Sequence, residues 1–331
     1  MKRWQFWIGV LVSAFFLALA LRGLELEKVG ASLKQAHYLW LVPGVVVYFG
    51  AVGARTWRWH YLLRTLKPIP LRTLFPVVTI GYMGNNIYPA RAGEVLRAYV
   101  LKQREGVSVS ASLATILVER VFDGLVMLLF VFLALPTVPE LPARLRHLVV
   151  IASGLFLGAL LVFFAMAATP QRVQRLFTRL LIPRLPTRFR QPVQGLLARF
   201  LTGLSSLRSG RDVAMIFVTS VVIWLLETLK YWFVMHAFPF QVSFFALMLM
   251  NGVVNLATTL PSGPGYVGTF DTPGIAVLQI FGVERSLATS YTLVLHAALW
   301  LPITLLGATY MVRESLSWKQ VQAEMAGEGV P

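Results

Sequence analysis

The chain contains no cysteine, so disulfides, thiolate metal sites and a cysteine nucleophile are all excluded. Charge is also scarce: 13% of the 331 residues carry it, against about a quarter in an ordinary soluble domain. Acidic residues are the rarer sign, 14 Asp and Glu against 30 Lys and Arg. Five histidines (His37, His60, His147, His236 and His296) are scattered without metal-ligand spacing. No Gly-Lys-Ser/Thr follows a glycine-rich turn, so no phosphate-cradling nucleotide loop is present. Neither metal nor cofactor is expected. The net charge of +16 invites a nucleic-acid reading. Basic residues between spanning helices are what membrane topology itself demands, however, and no nucleic-acid partner is expected.

What the chain does have is apolar length. Hydrophobic residues make up 57% of it, grouped in stretches of about twenty, the number a helix needs to cross the hydrocarbon of a bilayer. Six stretches are long enough: approximately Trp4–Leu21, Tyr38–Leu63, Ser110–Leu135, Leu148–Ala168, Val213–His236 and Leu287–Val312. The first follows Lys2 and Arg3 without a clear small-residue cleavage site and reads as a retained signal anchor. Two further apolar stretches are interrupted. Residues 75–101 break at Asn85-Asn86 and at Pro89-Ala-Arg-Ala-Gly93, and residues 244–280 break at Pro261-Ser-Gly-Pro-Gly265. Each half is too short to cross alone, so each reads as a re-entrant hairpin, whose irregular backbone survives at membrane depth only inside protein or beside a wet cavity. The expected fold is an all-α polytopic membrane protein with six long spanning helices and two re-entrant hairpins.

Placing both termini in the cytoplasm leaves 20 Lys and Arg inside, 6 outside and 4 within spans. That bias supports a multi-pass protein of the cytoplasmic membrane in this orientation. The hairpin tips superpose at an offset of 172 residues, Pro89 on Pro261 and Gly93 on Gly265. The first repeat, residues 38–135, and the second, residues 213–312, then point in opposite directions, an inverted arrangement typical of transporters. Between them, the segment from Arg172 to Arg211 carries nine arginines among leucines and phenylalanines. It reads as an amphipathic segment lying on the anionic cytoplasmic leaflet.

An ionisable side chain within a span costs a few kcal/mol, so each needs a reason. Around the first tip, Asn85, Asn86, Arg91, Glu94 and Arg97 stand at the start of a short helix. Backbone N–H groups and guanidiniums gathered there suit a phosphate, although a structural Arg–Glu–Arg cluster is the plainer reading. Glu119 and Asp123 are four apart and share a helix face, with Arg120 turned by about 100°. They suit proton coupling or a buried salt-bridge network. Glu227 and Lys230, three apart, read as a mutual ion pair. Arg55 and Arg58, beside Trp57 and Trp59, read as snorkelling toward headgroups. At the second tip Ser262, Gly263, Gly265 and Tyr266 offer hydroxyls and close backbone approach, and Asp271 reads as a cap for the helix that follows.

Three stretches carry a resemblance. Asn-Asn-x-x-Pro-x-Arg-x-Gly-Glu-x-x-Arg, residues 85–97, is followed by Val-Glu-Arg-Val-Phe-Asp at 118–123 and later by Pro-Ser-Gly-Pro-Gly-Tyr-Val-Gly at 261–268. Together they resemble the flippase-like family named for the transmembrane region of lysylphosphatidylglycerol synthase. The resemblance implies movement of lipids between leaflets, with Arg91, Gly93, Glu94, Arg97, Glu119, Arg120, Asp123, Pro261, Gly263 and Gly265 at the motif positions. The bifunctional relatives carry a soluble aminoacyl-transfer domain. This chain ends at Pro331 after a short polar tail, so no synthase activity is expected. The expected partner is a membrane lipid with an anionic headgroup. A second copy of the chain or a lipid-modifying enzyme is also compatible with the sequence, and the alternative functions are a membrane-embedded transferase acting on a lipid-linked donor and a non-transporting partner of a lipid-modifying enzyme.

Overall fold

A computed structural model of the protein describes residues 24–88, 91–138, 169–180, 182–184, 190–195, 209–259 and 263–313, with a few isolated positions besides. Among the described residues all regular structure is helical. In chain order the longer helices are α1 (Leu26–Gln35), α2 (Leu41–Leu63), α3 (Leu71–Ile87), α4 (Gly93–Glu105) and α5 (Val109–Ala134). Then come α6 (Pro170–Leu180), α7 (Gly210–Met235), α8 (Phe244–Ala257), α9 (Asp271–Ile280) and α10 (Arg285–Arg313). Local chemistry sets several ends. Ser108 and Ser243 accept from the backbone N–H of Ala111 and Ala246, opening α5 and α8. Gly106, at φ +70°, closes α4 in the left-handed conformation that suits glycine.

Burial runs opposite to that of a water-soluble bundle. Leu39, Val46 and Val312 are 86%, 65% and 77% exposed, whereas Arg58, Glu119 and Asp123 are 0%, 1% and 2% exposed. Apolar surface outside and charge inside is the pattern that hydrocarbon surroundings impose. Among the described residues three helical segments are long and apolar enough to cross a membrane: Tyr38–Leu63, Gly210–Met235 and Arg285–Arg313. They match three of the expected spans. The fourth, α5, is as long but carries Glu119, Arg120 and Asp123. The expected spans Trp4–Leu21 and Leu148–Ala168 fall almost entirely outside the described residues.

Both interrupted stretches fold back on themselves. α3 and α4 pack face to face so closely that a Cβ on Gly93 would meet the Gly81 carbonyl oxygen at 2.0 Å and the Asn85 nitrogen at 2.3 Å. No side chain fits there. α8 and α9 pack likewise, with Gly274 against Met250 and Val254. Their tips come together: the second tip, around Gly265, lies against the end of α3. The helix pairing is symmetric under exchange of residues 38–135 with 213–312. α2 and α7 form the most extensive pair. The α2–α3, α3–α4 and α4–α5 contacts have counterparts in α7–α8, α8–α9 and α9–α10, and α3–α10 is matched by α8–α5.

One expectation is overturned. Arg55 and Arg58 do not snorkel to the membrane surface. They are 6% and 0% exposed and point between α2, α5 and α7, where carboxylates await them. The flanking tryptophans misled: Trp59 is itself fully buried, with its indole N–H donated to Thr115 Oγ1 at 3.0 Å.

Candidate functional site

The two tips and the α2–α7 seam enclose a cavity of about 150 Å³. That is roughly the space that accepts a benzene-sized group. Arg91 joins the tips. Its Nε donates to the Thr258 carbonyl at 3.3 Å, and its guanidinium lies 6.0 Å from the Tyr266 ring centre. Both Arg91 (φ +54°) and Tyr266 (φ +59°) occupy the left-handed region. Such strain in residues with side chains persists where surrounding structure enforces it, and it clusters at functional sites. Asn86 ties the first tip to α10: Nδ2 donates to Thr304 Oγ1 at 2.8 Å, and its carbonyl accepts from Trp300 Nε1 at 3.3 Å.

The charges form two layers. Arg55, Arg91, Arg97, Arg120 and Lys230 line the cavity against only two carboxylates, Glu94 and Glu227. Behind them stand Arg58, Glu119 and Asp123. Asp123 Oδ1 accepts from Arg58 Nη1 at 2.7 Å and from Trp224 Nε1 at 2.9 Å, and its Oδ2 lies 3.6 Å from Arg55 and 3.5 Å from Arg120. Glu119 accepts from Arg97 Nη1 at 2.8 Å, and Arg58 Nε is 3.6 Å away. Six cations against four carboxylates leave two positive charges in surplus. The clearest unused donor belongs to Arg97. It is 6% exposed, stacked 3.6 Å over the Trp59 ring, and its Nη2 has no hydrogen-bond partner among the described residues. A buried guanidinium donor left unpaired costs free energy unless something arrives to accept from it.

The residues singled out from sequence therefore divide. Asn85, Asn86, Arg91, Glu94, Arg97, Arg120, Gly265, Tyr266, Glu227 and Lys230 line one cavity. Glu119 and Asp123 do not line it; they hold its arginines from behind. Gly263 sits just outside, its carbonyl accepting from Tyr266, and Ser262, like Pro89 and Pro261, lies outside the described residues. Glu227 and Lys230 are paired as expected, and Glu227 also accepts from Arg55 at 3.0 Å. Among the described residues no group of three His, Asp or Glu is arranged to hold a metal.

Sequence reasoning missed three contributions. Arg55 was hidden by its neighbouring tryptophans. Tyr48, which faces Lys230 Nζ at 4.5 Å, carried no signal. His296 Nδ1 lies 2.8 Å from Asp271 Oδ1, and Nε2 lies 2.7 Å from the Gly265 carbonyl. Asp271 also accepts from the Gly268 N–H at 2.8 Å, so it caps backward, onto the turn before α9. One signal was available. At the 172-residue offset Arg55 falls on Glu227 and Arg58 on Lys230, and the first of these pairs hydrogen-bonds directly.

The description "Lysylphosphatidylglycerol synthase TM region" matches residues 6–307. The chain belongs to this family. Among its curated relatives is a UPF0104 membrane protein of Methanothermobacter thermautotrophicus, 26% identical over 299 residues and covering 86% of each chain. A UPF0104 membrane protein of Methanocaldococcus jannaschii is 21% identical, covering 92% of this chain and 94% of its own. The glycosyltransferase AglD of Haloferax volcanii is 26% identical over 332 residues, covering 90% of this chain but 52% of its own length. In this lysylphosphatidylglycerol synthase TM-region family member, the match takes in both tips and the α2–α7 seam.

Proposed function

We propose that the protein is a lipid transporter of the flippase type, moving a lipid with an anionic headgroup between leaflets of the cytoplasmic membrane. The observation that carries this reading is the cavity where the two tips meet, with two positive charges in excess. The headgroup phosphate would sit against Arg91 and the unpaired Nη2 of Arg97, with Asn85 and Arg120 beside it, while the tails stay in hydrocarbon. Cations in a partly enclosed, low-dielectric cavity attract an anion more strongly than they do in water, and bidentate guanidinium–phosphate contacts add geometry to charge.

Alternating access by two inverted units is the mechanism we infer. The symmetric helix pairing supports it, and so does the Arg55–Glu227 contact on the seam between the units. In this reading the first hairpin opens from the cytoplasm and the second from outside, with both termini cytoplasmic. The basic segment after Pro170 would rest on the anionic leaflet. On α6, Leu176 and Leu180 are 60% and 48% exposed beside exposed Arg172, Arg175 and Arg179, the two faces an interfacial helix needs.

The transferase alternative has less support. A transferase needs a carboxylate free to take a proton from an acceptor hydroxyl, whereas Glu119 and Asp123 are engaged by arginines away from the cavity. The relative named as a glycosyltransferase is matched over 52% of its own length.

The test is lipid movement by purified protein in vesicles containing phosphatidylglycerol. Arg91→Gln removes a cavity charge at a position only partly buried, and transport is expected to fall roughly ten- to hundredfold, the worth of one charged hydrogen bond. A rate equal to wild type in the folded variant would end the phosphate-site reading. A chemically altered lipid after incubation, seen by mass spectrometry, would favour the transferase.

A further inference from the structure

Resting on the transport reading above, we propose that His296 and Asp271 form a proton-binding site, and that the proton and the anionic headgroup bind the cavity cooperatively. The argument starts from what the ring faces. Nδ1 points at a carboxylate oxygen and Nε2 at a backbone carbonyl, 2.8 Å and 2.7 Å away. A carbonyl only accepts, so Nε2 must carry hydrogen. A carboxylate also only accepts when ionised, so a second proton must lie between Nδ1 and Asp271 Oδ1. The pair is therefore complete only with one proton more than a neutral histidine beside an ionised aspartate. That proton comes from bulk water through the cavity, and taking it up moves the pair from one negative charge to none.

Removing it breaks one of two contacts. A neutral ring with hydrogen on Nδ1 turns a lone pair toward the Gly265 carbonyl; with hydrogen on Nε2 it turns a lone pair toward Asp271. Gly265 lies at φ +71°, packed on Trp300, and leads directly into Tyr266 at φ +59°. The proton thus pins the strained turn that sets Tyr266 against Arg91. Phe270, whose ring lies 4.6 Å from the imidazole, shields the contact from one side.

The surrounding charges supply the coupling. Asp271 on α9 favours the proton. Arg55, Arg91, Arg97, Arg120 and Lys230, on α2, the first tip, α4, α5 and α7, share the cavity and oppose it. Glu94 and Glu227 offset these only in part, and the phenols of Tyr48, Tyr82 and Tyr266 share the lining. An anion that neutralises the surplus makes protonation easier, and protonation makes the cavity more positive for the anion. The two must help each other equally, because the linkage is reciprocal.

Two measurements test this. With histidine labelled for nitrogen NMR in intact protein in phosphatidylcholine nanodiscs, the His296 signal is assigned by its loss in His296→Gln. It is expected to show an imidazolium that gives up its proton as the pH is raised. Inorganic phosphate is expected to move the midpoint upward by on the order of one unit, the effect of a unit charge about 10 Å away at an effective dielectric of about 20. A ring that stays neutral throughout, or a midpoint indifferent to phosphate, overturns the proposal. The chain has no native cysteine, so Val267→Cys, 40% exposed beside the turn, reports the tip alone. Its labelling, divided at each pH by that of Val267→Cys/His296→Gln, is expected to rise roughly tenfold as the proton leaves; a ratio flat with pH also overturns it. Neither measurement needs lipid movement. A protein that titrates as described but moves no lipid refutes the transport reading and leaves the proton site standing.

Discussion

Arg58 offers the sharpest test of the buried network, because burial and exposure predict opposite results. Replacing it with leucine removes three hydrogen bonds, two to Asp123 at 2.7 and 3.3 Å and one to Ser220 at 2.7 Å, from a side chain with no exposed surface. Breaking one side of a buried ion pair costs about 3–5 kcal/mol, most of it the penalty of the stranded partner. Asp123 would keep Trp224 Nε1 at 2.9 Å and two more distant arginines, so the cost is expected near the low end, about 3 kcal/mol. In the Arg58→Leu background, Asp123→Asn removes the stranded charge yet still accepts from Trp224. It should recover about 1–2 kcal/mol, a coupling within the range found for contacting residues. Reversible unfolding in mixed micelles, followed by far-ultraviolet circular dichroism on all four proteins, measures both quantities. A cost for Arg58→Leu within about 0.5 kcal/mol, as at a surface position, would refute the network and restore the snorkelling reading.

Gly93→Ala is expected to destabilise by more than about 3 kcal/mol, beyond the usual cost of overpacking, because the new methyl would lie 2.0 Å from the Gly81 oxygen; the same unfolding assay decides it. Glu284 accepts from the Leu287 N–H at 3.0 Å at the start of α10, and Glu284→Ala is expected to cost about 1 kcal/mol, as a lost cap does. The backbone N–H of Ser286 and then that of Leu287 hold its carboxyl below the ordinary value of 4.5. A depressed carboxyl contributes stability at neutral pH, and the contribution is lost as pH falls from 4.5 through the folded value. The wild-type advantage over Glu284→Ala should therefore vanish at strongly acidic pH.

Much of the architecture is legible in the chain. The spans read as Tyr38–Leu63, Val213–His236 and Leu287–Val312 agree within a few residues with the helices found, because a bilayer demands uninterrupted apolar length and little else has that signature. The breaks at 85–93 and 261–265 fall between pairs of helices, α3 with α4 and α8 with α9, that pack on one another. Their close packing was not visible: which carbonyl a Cβ would strike depends on a second helix. Partnerships within one helix, such as Glu227 with Lys230, follow from spacing. Partnerships between helices do not, and so Arg55 and Arg58 looked like surface anchors. His296 and Asp271, 25 apart, looked unrelated for the same reason.

The two-layer arrangement explains how five cationic side chains coexist around so small a cavity. At short range in a low dielectric their mutual repulsion would open the bundle if nothing offset it. Glu119 and Asp123 are placed where they cancel charge without occupying space that a ligand would use, and each fixes a guanidinium in one orientation while doing so. With Glu119 and Asp123 in the lining beside Glu94 and Glu227 the cavity would have less room for a ligand; without them it would carry more unopposed positive charge. Carboxylates set behind arginines leave a surplus small enough for the fold to tolerate and large enough to attract an anion. The same logic accounts for the Arg55–Glu227 contact between the two long helices of the seam. A salt bridge can be exchanged for others as helices shift against each other, whereas interlocked apolar side chains are bistable at best and resist gradual sliding. Charge at that seam is thus compatible with the relative movement of two units that the proposed transport requires.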